Sequence, residues 1–162
     1  MRFLTPRLAQ VGLLKLILGA GFIFSVAAPA AAQQQPFQTS ATGQIVAQAF
    51  CSPTEVCQQA VVSGVATTIG RFTGVLNERV DITNGAYTGT AVFTTSDGST
   101  INTQYSGQST PPDSNGQVFF FEVHDIVGGT GRFANVDGSL NITGTSDATG
   151  KIQVTGVGTL SK

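Results

Sequence analysis

The sequence predicts an all-β protein, a small eight-stranded antiparallel up-and-down β-barrel. Apolar and polar residues alternate with a period of two in one segment after another, which is typical of strands that bury one face. Turn signals that contain glycine separate these segments at short intervals, and no amphipathic helix is predicted between them. The predicted strands comprise residues 42–50, 59–69, 74–83, 85–95, 99–108, 116–127, 131–145 and 151–160.

Glycine marks both the turns and the strands of this predicted sheet. Three connections contain a dipeptide that is typical of two-residue hairpin turns, and a fourth contains a weaker signal. These dipeptides are Asn84-Gly85, Asp97-Gly98, Asn115-Gly116 and, more weakly, Thr149-Gly150. Isolated glycines inside strands mark bulges, barrel corners or close backbone approach, so they favour a strongly curved sheet. Glycines of this kind include Gly64, Gly89, Gly107, Gly144, Gly156 and Gly158.

Residues 1–32 are typical of a secretory signal peptide. Three basic residues precede an apolar run over residues 16–28, and Ala30-Ala31-Ala32 supplies a small-residue cleavage site. The run has 13 residues, fewer than the roughly 20 that a membrane-spanning helix needs, and no later segment is longer. We therefore expect cleavage before Gln33, a secreted or periplasmic protein, and no stable membrane insertion after cleavage. An uncut leader that anchors the protein is the alternative.

The chain that remains after cleavage has the size of one domain. Residues 33–40 are expected to form a flexible tail and residues 41–162 the barrel domain. Five Lys and Arg then stand against nine Asp and Glu, because three of the eight basic residues lie in the leader. Nucleic acids and anionic membranes are bound by clustered basic residues, so this acidic, charge-poor chain argues against both as partners.

Cys51 and Cys57 are the two cysteines of the chain, and they flank a short segment that contains proline. In an exported protein this spacing predicts a local disulfide that closes a loop. A redox or metal pair is the weaker alternative, because the spacing is not Cys-x-x-Cys and the single histidine is remote in the sequence. The sequence predicts no metal site and no cofactor.

Residues 126–138 contain the most distinctive pattern, Ile-Val-Gly-Gly-Thr-Gly-Arg-Phe-Ala-Asn-Val-Asp-Gly. It predicts a strand, a glycine turn and a returning strand, because glycine permits a positive φ where the chain reverses. The glycines of this structural hairpin are Gly128, Gly129 and Gly131. A phosphate site is not expected, since no helix N-terminus follows them. Arg132 is expected to form a structural salt bridge with Asp125 or Asp137, and the alternative is a cation offered to a ligand carboxylate.

This segment resembles the Gly-Gly-Thr-Gly hairpin that plant dirigent proteins, allene oxide cyclases and similar bacterial secreted proteins share. The resemblance implies a barrel of the same kind, whose cavity holds a hydrophobic small molecule and steers its cyclisation or coupling. It also implies a homo-oligomer, since trimers are common in both families. No catalytic residue of these families aligns with the chain beyond the hairpin, so the catalytic residues are unknown and enzymatic activity is left open.

The predicted strand 116–127 has two different faces. Phe119 and Phe121 lie on one face, which we interpret as plain core, whereas Glu122 and His124 lie among apolar residues on the other. If this second face lines a barrel lumen, desolvation and mutual charge suit the pair to proton transfer. If it faces outward, the pair is only solvated. We favour the outward or structural interpretation.

Two further polar residues are candidates for the same cavity. Glu78 alternates with apolar residues in the predicted strand 74–83, so its side chain is expected to point inward. Tyr105 shares a face with apolar residues of the predicted strand 99–108, and we expect it to be half-buried with its hydroxyl bonded locally. The candidate cavity residues are therefore Glu78, Tyr105, Glu122 and His124.

Two functions of different classes follow from these patterns. The resemblance favours an exported barrel that binds a small hydrophobic ligand, with isomerase or cyclase chemistry if it is an enzyme. A non-enzymatic structural or adhesive barrel is the alternative, because a fold does not fix a function. The content of the barrel separates the two, since an interior packed solid with side chains has no room for a ligand.

Overall fold

The computed structural model describes residues 34–161. Each strand pairs antiparallel with the next along the chain, and the last pairs with the first, which closes the sheet into a barrel. The eight-stranded antiparallel barrel is therefore confirmed. Its strands are β1 (Gln35–Ser52), β2 (Glu55–Ala66), β3 (Gly70–Asp81), β4 (Ala86–Thr95), β5 (Thr100–Ser109), β6 (Val118–Gly129), β7 (Asp137–Ser146) and β8 (Lys151–Ser161). No helix within residues 34–161 is long and apolar enough to cross a membrane.

The first strand begins earlier than the sequence predicts. Residues 35–44 pair with β8 along its whole length, where a strand from residue 42 and a flexible tail over 33–40 were predicted. The glutamine-rich composition hides two inward-facing residues, Phe37 and Ala41, which are both buried in the core. Closure requires this pairing, because β8 would otherwise present an open edge. The predicted leader, residues 1–32, lies outside the described residues.

One end of the barrel is closed by the connection between β6 and β7. Here the chain forms a short 3₁₀ helix (Gly131–Phe133), so β7 begins at Asp137 and the prediction of a strand from residue 131 is wrong. Phe133 is 0% exposed and packs in one core with Ile69 of the neighbouring connection and Phe37 of β1. Two of the predicted turn glycines do have positive φ: Gly128 at 125° and Gly131 at 59°.

Arg132 links three connections at the closed end of the barrel. Its Nε lies 3.0 Å from Asp97 Oδ2 in the β4–β5 connection, and its Nη2 donates a 2.9 Å hydrogen bond to the carbonyl of Ile69. The guanidinium also stacks on the ring of Phe133, 4.6 Å from the ring centroid. The expected salt bridge with Asp125 or Asp137 is therefore wrong. The partner comes from the β4–β5 connection, which the pairing of β5 with β6 brings next to Arg132.

Aspartate side chains define several connections between strands. Asp81, Asp97 and Asp147 each accept hydrogen bonds from backbone N–H groups two or more residues further on. The connections β3–β4, β4–β5 and β7–β8 have four residues each, so the prediction of two-residue turns is wrong. The glycine that each turn signal contains has a positive φ, as its type requires. The longer turn is favoured because the aspartate caps N–H groups that a tighter turn would place in the ladder.

The predicted disulfide between Cys51 and Cys57 is present. It joins the end of β1 to the start of β2, with 5.6 Å between the two Cα atoms. The connection lies at the end of the barrel opposite Phe133, because successive connections alternate between the two ends of an up-and-down barrel.

The inward face of β6 is the reverse of the one the sequence favoured. Phe119 and Phe121 are 51% and 46% exposed on the outside, so their assignment to the core is wrong. Glu122, His124 and Ile126 are buried on the inside instead. Both faces carry apolar residues, and the choice between them is made by the register with β5 and β7, which pairs Glu122 with a glycine in one neighbour and Ile142 in the other.

Candidate ligand cavity

The barrel encloses a cavity of about 560 Å³ that opens at the end opposite Phe133. Its inner part is apolar and is lined by core side chains such as Phe72 and Leu140. Its outer part reaches the β3–β4 connection and the start of the β5–β6 connection, where Ile82 and the Pro111-Pro112 pair are exposed to solvent. The barrel is therefore not packed solid with side chains, and its volume lies in the range of small-molecule pockets.

Two tyrosines on the inner wall each lie across a glycine of the neighbouring strand. Tyr87 of β4 is paired with Gly107 of β5, and Tyr105 of β5 is paired with Gly89 of β4. A Cβ atom at either glycine would lie 2.4 Å from a ring carbon of the tyrosine opposite. Only glycine leaves room for the ring, so each tyrosine reaches over its neighbour to the strand beyond. The two arrangements are equivalent, with β4 and β5 exchanging roles.

Tyr105 of β5 reaches across β4 to Glu78 on β3. Its hydroxyl donates a 3.0 Å hydrogen bond to Glu78 Oε2, and Gln58 of β2 donates to the other carboxylate oxygen. The expectation that the Tyr105 hydroxyl is bonded locally is therefore wrong. Burial of the carboxylate raises the pKa of Glu78, and the nearby charge of Glu122 raises it further, against the opposing effect of the hydrogen bonds.

Tyr87 of β4 reaches across β5 to Glu122 on β6. Its hydroxyl donates a 3.1 Å hydrogen bond to Glu122 Oε1, and His124 Nε2 lies 2.8 Å from Glu122 Oε2. The other imidazole nitrogen, Nδ1, lies 3.0 Å from the hydroxyl of Thr103 on β5. Because a hydroxyl can donate or accept, this set of partners suits both the neutral and the protonated imidazole. Both ring nitrogens of a completely buried histidine are thus satisfied.

The two hydrogen-bonded groups, that of Tyr105 with Glu78 and that of Tyr87 with Glu122 and His124, touch through their aromatic rings. The imidazole of His124 stacks on Tyr105, with 4.4 Å between ring centroids, and Tyr87 packs against Tyr105 edge to face at 6.3 Å. Burial and the neighbouring carboxylates raise the pKa values of both tyrosines, so the phenols remain protonated and act as donors. We call Gln58, Glu78, Tyr87, Thr103, Tyr105, Glu122 and His124 the polar wall of the cavity.

All four candidate cavity residues fall within this polar wall. Glu78, Glu122 and His124 line the cavity, and Tyr105 stands between them. The interpretation of Glu122 and His124 as an outward, solvated pair is wrong, since both are buried inside the barrel. Chemically, the wall offers two carboxyl groups and one imidazole beside an apolar space, so it can hold, give or accept a proton at a ligand atom.

Three contributors to the polar wall were not singled out from the sequence, namely Gln58, Tyr87 and Thr103. The signal for the tyrosines is the repeated pattern Tyr-Thr-Gly at residues 87–89 and Tyr-Ser-Gly at residues 105–107. In an antiparallel pair, two such copies can face each other with each tyrosine opposite a glycine.

The described residues contain no cluster suited to a metal ion. No group of three or more His, Cys, Asp or Glu side chains in residues 34–161 has the geometry of a metal site. Comparison of the chain with protein family models, with curated proteins and with solved structures finds no match. The resemblance to dirigent proteins and allene oxide cyclases stays a prediction from the hairpin alone.

Proposed function

We propose that this protein is exported and binds a small hydrophobic ligand inside its barrel, within the structural class of allene oxide cyclases and dirigent proteins. The observation that carries this proposal is the cavity of about 560 Å³. It combines an apolar floor with a few convergent polar groups, which is the usual composition of a small-molecule site. The leader pattern and the disulfide support export, because disulfides persist in oxidising compartments.

The ligand's reactive or polar end would lie against the polar wall. Glu78 and Glu122 face the same space, and burial raises the pKa of Glu78. Such a pair can transfer a proton to or from a ligand whose apolar body fills the floor. If the protein is an enzyme, the chemistry that these groups support is isomerisation or cyclisation, which needs no cofactor.

The content of the cavity tests the proposal directly. The protein should be purified from its native source, extracted with organic solvent and analysed by mass spectrometry. A reproducible apolar compound in stoichiometric amount is expected. A cavity variant, Ala60→Phe, places a ring inside the barrel, because Ala60 lines the cavity. The matched control, Ser63→Phe, places the same ring on the exposed face of β2.

The ligand should be lost from Ala60→Phe and retained by Ser63→Phe. Thermal melts of both variants establish that each is folded. If the extract of the unmodified protein is empty and neither variant changes the binding of any apolar probe, the ligand-binding function is wrong.

The outer surface favours a second candidate, a structural or adhesive barrel that associates with copies of itself. Val61, Val75 and Val92 stand directly opposite one another on β2, β3 and β4, and they are 39%, 42% and 45% exposed. Contiguous apolar surface of this kind marks interaction sites. Analytical ultracentrifugation should show an oligomer that Val75→Thr weakens, and a monomer at all concentrations would contradict this candidate.

A further inference from the structure

The charge of the cavity lining is one-sided. Every Lys and Arg side chain among residues 34–161 is exposed on the outside of the barrel, and none of them lines the cavity. These residues are Arg71, Arg79, Arg132 and Lys151. The lining contains three carboxyl groups, those of Glu78 and Glu122 on the polar wall and that of Asp81 at the open end. A ligand in the cavity therefore faces the hydrogen-bond acceptors of two carboxyl groups on the polar wall. The imidazole of His124 is the one basic group of the wall.

The carboxyl groups keep capacity for a further donor. Glu78 receives one hydrogen bond at each oxygen, from the neutral side chains of Gln58 and Tyr105. Glu122 likewise receives Tyr87 at one oxygen and contacts His124 at the other. An ionised carboxylate has about four lone-pair sites, so roughly half of the acceptor capacity of each group is unused. The neutral donors to Glu78 satisfy its hydrogen bonds without cancelling its charge.

The open end of the barrel has the same sign. Three aspartates lie at this end, Asp81 at the end of β3 and Asp113 and Asp147 in connections, whereas Lys151 beside Asp147 is a basic residue there. Hydrogen bonds from Thr83 and Thr149 lower the pKa values of Asp81 and Asp147, so both stay ionised at neutral pH. An acidic rim attracts cations toward the opening and repels anions.

We propose that the ligand of the cavity is a hydrophobic amine, with an apolar body on the floor and a primary ammonium group held by Glu78 and Glu122. This inference rests on the proposed ligand-binding function and narrows it to a chemical class. The ammonium supplies the positive charge that the wall lacks and hydrogen-bond donors for its unused acceptor sites. An apolar carboxylate of the same size would bring a third acidic group into a low-dielectric space that contains no Arg or Lys.

Three ligands that differ only in their head group test this assignment. Octylamine, 1-octanol and octanoate share one apolar body, and at neutral pH they carry a positive, a neutral and a negative head. Isothermal titration calorimetry with the purified protein should show octylamine binding at least about tenfold more tightly than octanoate, because like charge in an enclosed site costs more than a factor of ten. 1-Octanol should fall between them.

Two substitutions of matched charge locate the preference. Glu78→Gln removes one acidic group from the wall, and Asp125→Asn removes one from the exposed outer face of β6. Glu78→Gln should lower the affinity for octylamine about tenfold and leave that for 1-octanol nearly unchanged, since one charge-assisted contact is lost. Asp125→Asn should change neither. Glu122→Gln provides a second variant of the wall if Glu78→Gln does not fold.

The outcomes separate this inference from the function on which it rests. If octanoate or 1-octanol binds as tightly as octylamine, the amine assignment is wrong while the ligand cavity stands. If octylamine is preferred but Glu78→Gln and Glu122→Gln both retain the preference, the wall is not its cause and the assignment is again wrong. If none of the three compounds binds although the extract of the unmodified protein contains an apolar compound, the amine assignment is wrong and the ligand cavity stands. If the extract is empty as well, both are overturned.

Discussion

Substitution of Gly129 by alanine tests whether the glycine segment is a structural requirement of the barrel. Gly129 ends β6, and a Cβ atom there would lie 2.0 Å from the carbonyl oxygen of Thr100 and 3.0 Å from that of Phe133. Both are backbone atoms, and the Thr100 oxygen also accepts a 2.9 Å hydrogen bond from Thr130 N–H. Neither carbonyl can move without opening the closed end. We therefore expect Gly129→Ala to lower the free energy of unfolding by about 3 kcal/mol or more, which is the upper end of overpacking costs.

A second glycine separates steric clash from backbone conformation. Gly98, in the β4–β5 connection, has a φ of +82° and no atom within 4 Å of the position that a Cβ would take. Gly98→Ala should therefore cost only about 1 to 2 kcal/mol, the penalty of a left-handed backbone for a residue with a side chain. Gly129 does not have a positive φ, so the cost of Gly129→Ala reports the steric clash and the cost of Gly98→Ala reports the backbone penalty.

Equilibrium unfolding in urea, followed by far-ultraviolet circular dichroism, gives both free energies of unfolding. The slope with urea should be the same in the two variants, so that midpoints compare directly. Equal stability of Gly129→Ala and Gly98→Ala would refute the reasoning from the Thr100 carbonyl. A Gly129→Ala protein that unfolds like the unmodified protein but no longer binds ligand would identify the segment as a binding loop.

Three further changes have expected outcomes. Cys51→Ser should lower the free energy of unfolding by about 1 to 3 kcal/mol and keep the circular dichroism spectrum of a β protein, because the disulfide closes a short loop. Detection of two free thiols by alkylation of the exported protein would contradict the disulfide. Arg132→Ala should lower the free energy of unfolding in urea by about 1 kcal/mol or more, because the hydrogen bond to the Ile69 carbonyl is lost. A change within experimental error would show that this hydrogen bond does not stabilise the fold. Stability should fall as pH rises above 4.5, because burial raises the pKa of Glu78 and the folded state then holds a proton that the unfolded chain releases. The groups that face Glu78 are Gln58, Tyr105, Glu122 and His124. Thermal melts across the pH range should show this decline in the unmodified protein and a shallower one in Glu78→Gln, and equal slopes would contradict the buried carboxyl.

Local patterns in the sequence carry most of the fold. Alternation with a period of two and glycine at turns predict eight strands and their order, because both follow from the pleat and from allowed φ values. The start of β1 is missed, since a glutamine-rich stretch becomes a strand only through its pairing with β8. The 3₁₀ helix (Gly131–Phe133) is missed for a related reason. Its conformation is set by the burial of Phe133 against distant connections.

The candidate site is predictable only in part. The pattern of β6 places Glu122 and His124 together, but it does not decide which face is inward, because Phe119 and Phe121 make the opposite face equally apolar. The meeting of Glu78 with Tyr105 depends on the register between β3, β4 and β5. Register is a property of paired strands, and a shift of one residue would turn every side chain to the other face.

The composition of the polar wall is itself an argument for function. Within residues 34–161, no buried side-chain polar atom is left without a hydrogen-bond partner, and satisfying the wall requires glycines at 89 and 107. Glycine inside a strand costs stability, and buried carboxyl groups stabilise less than apolar side chains of similar volume would. A barrel selected for stability alone would fill this space with branched apolar residues. The two carboxyl groups beside an open cavity therefore indicate selection for an occupant of that cavity, since departures from local stability concentrate at functional sites.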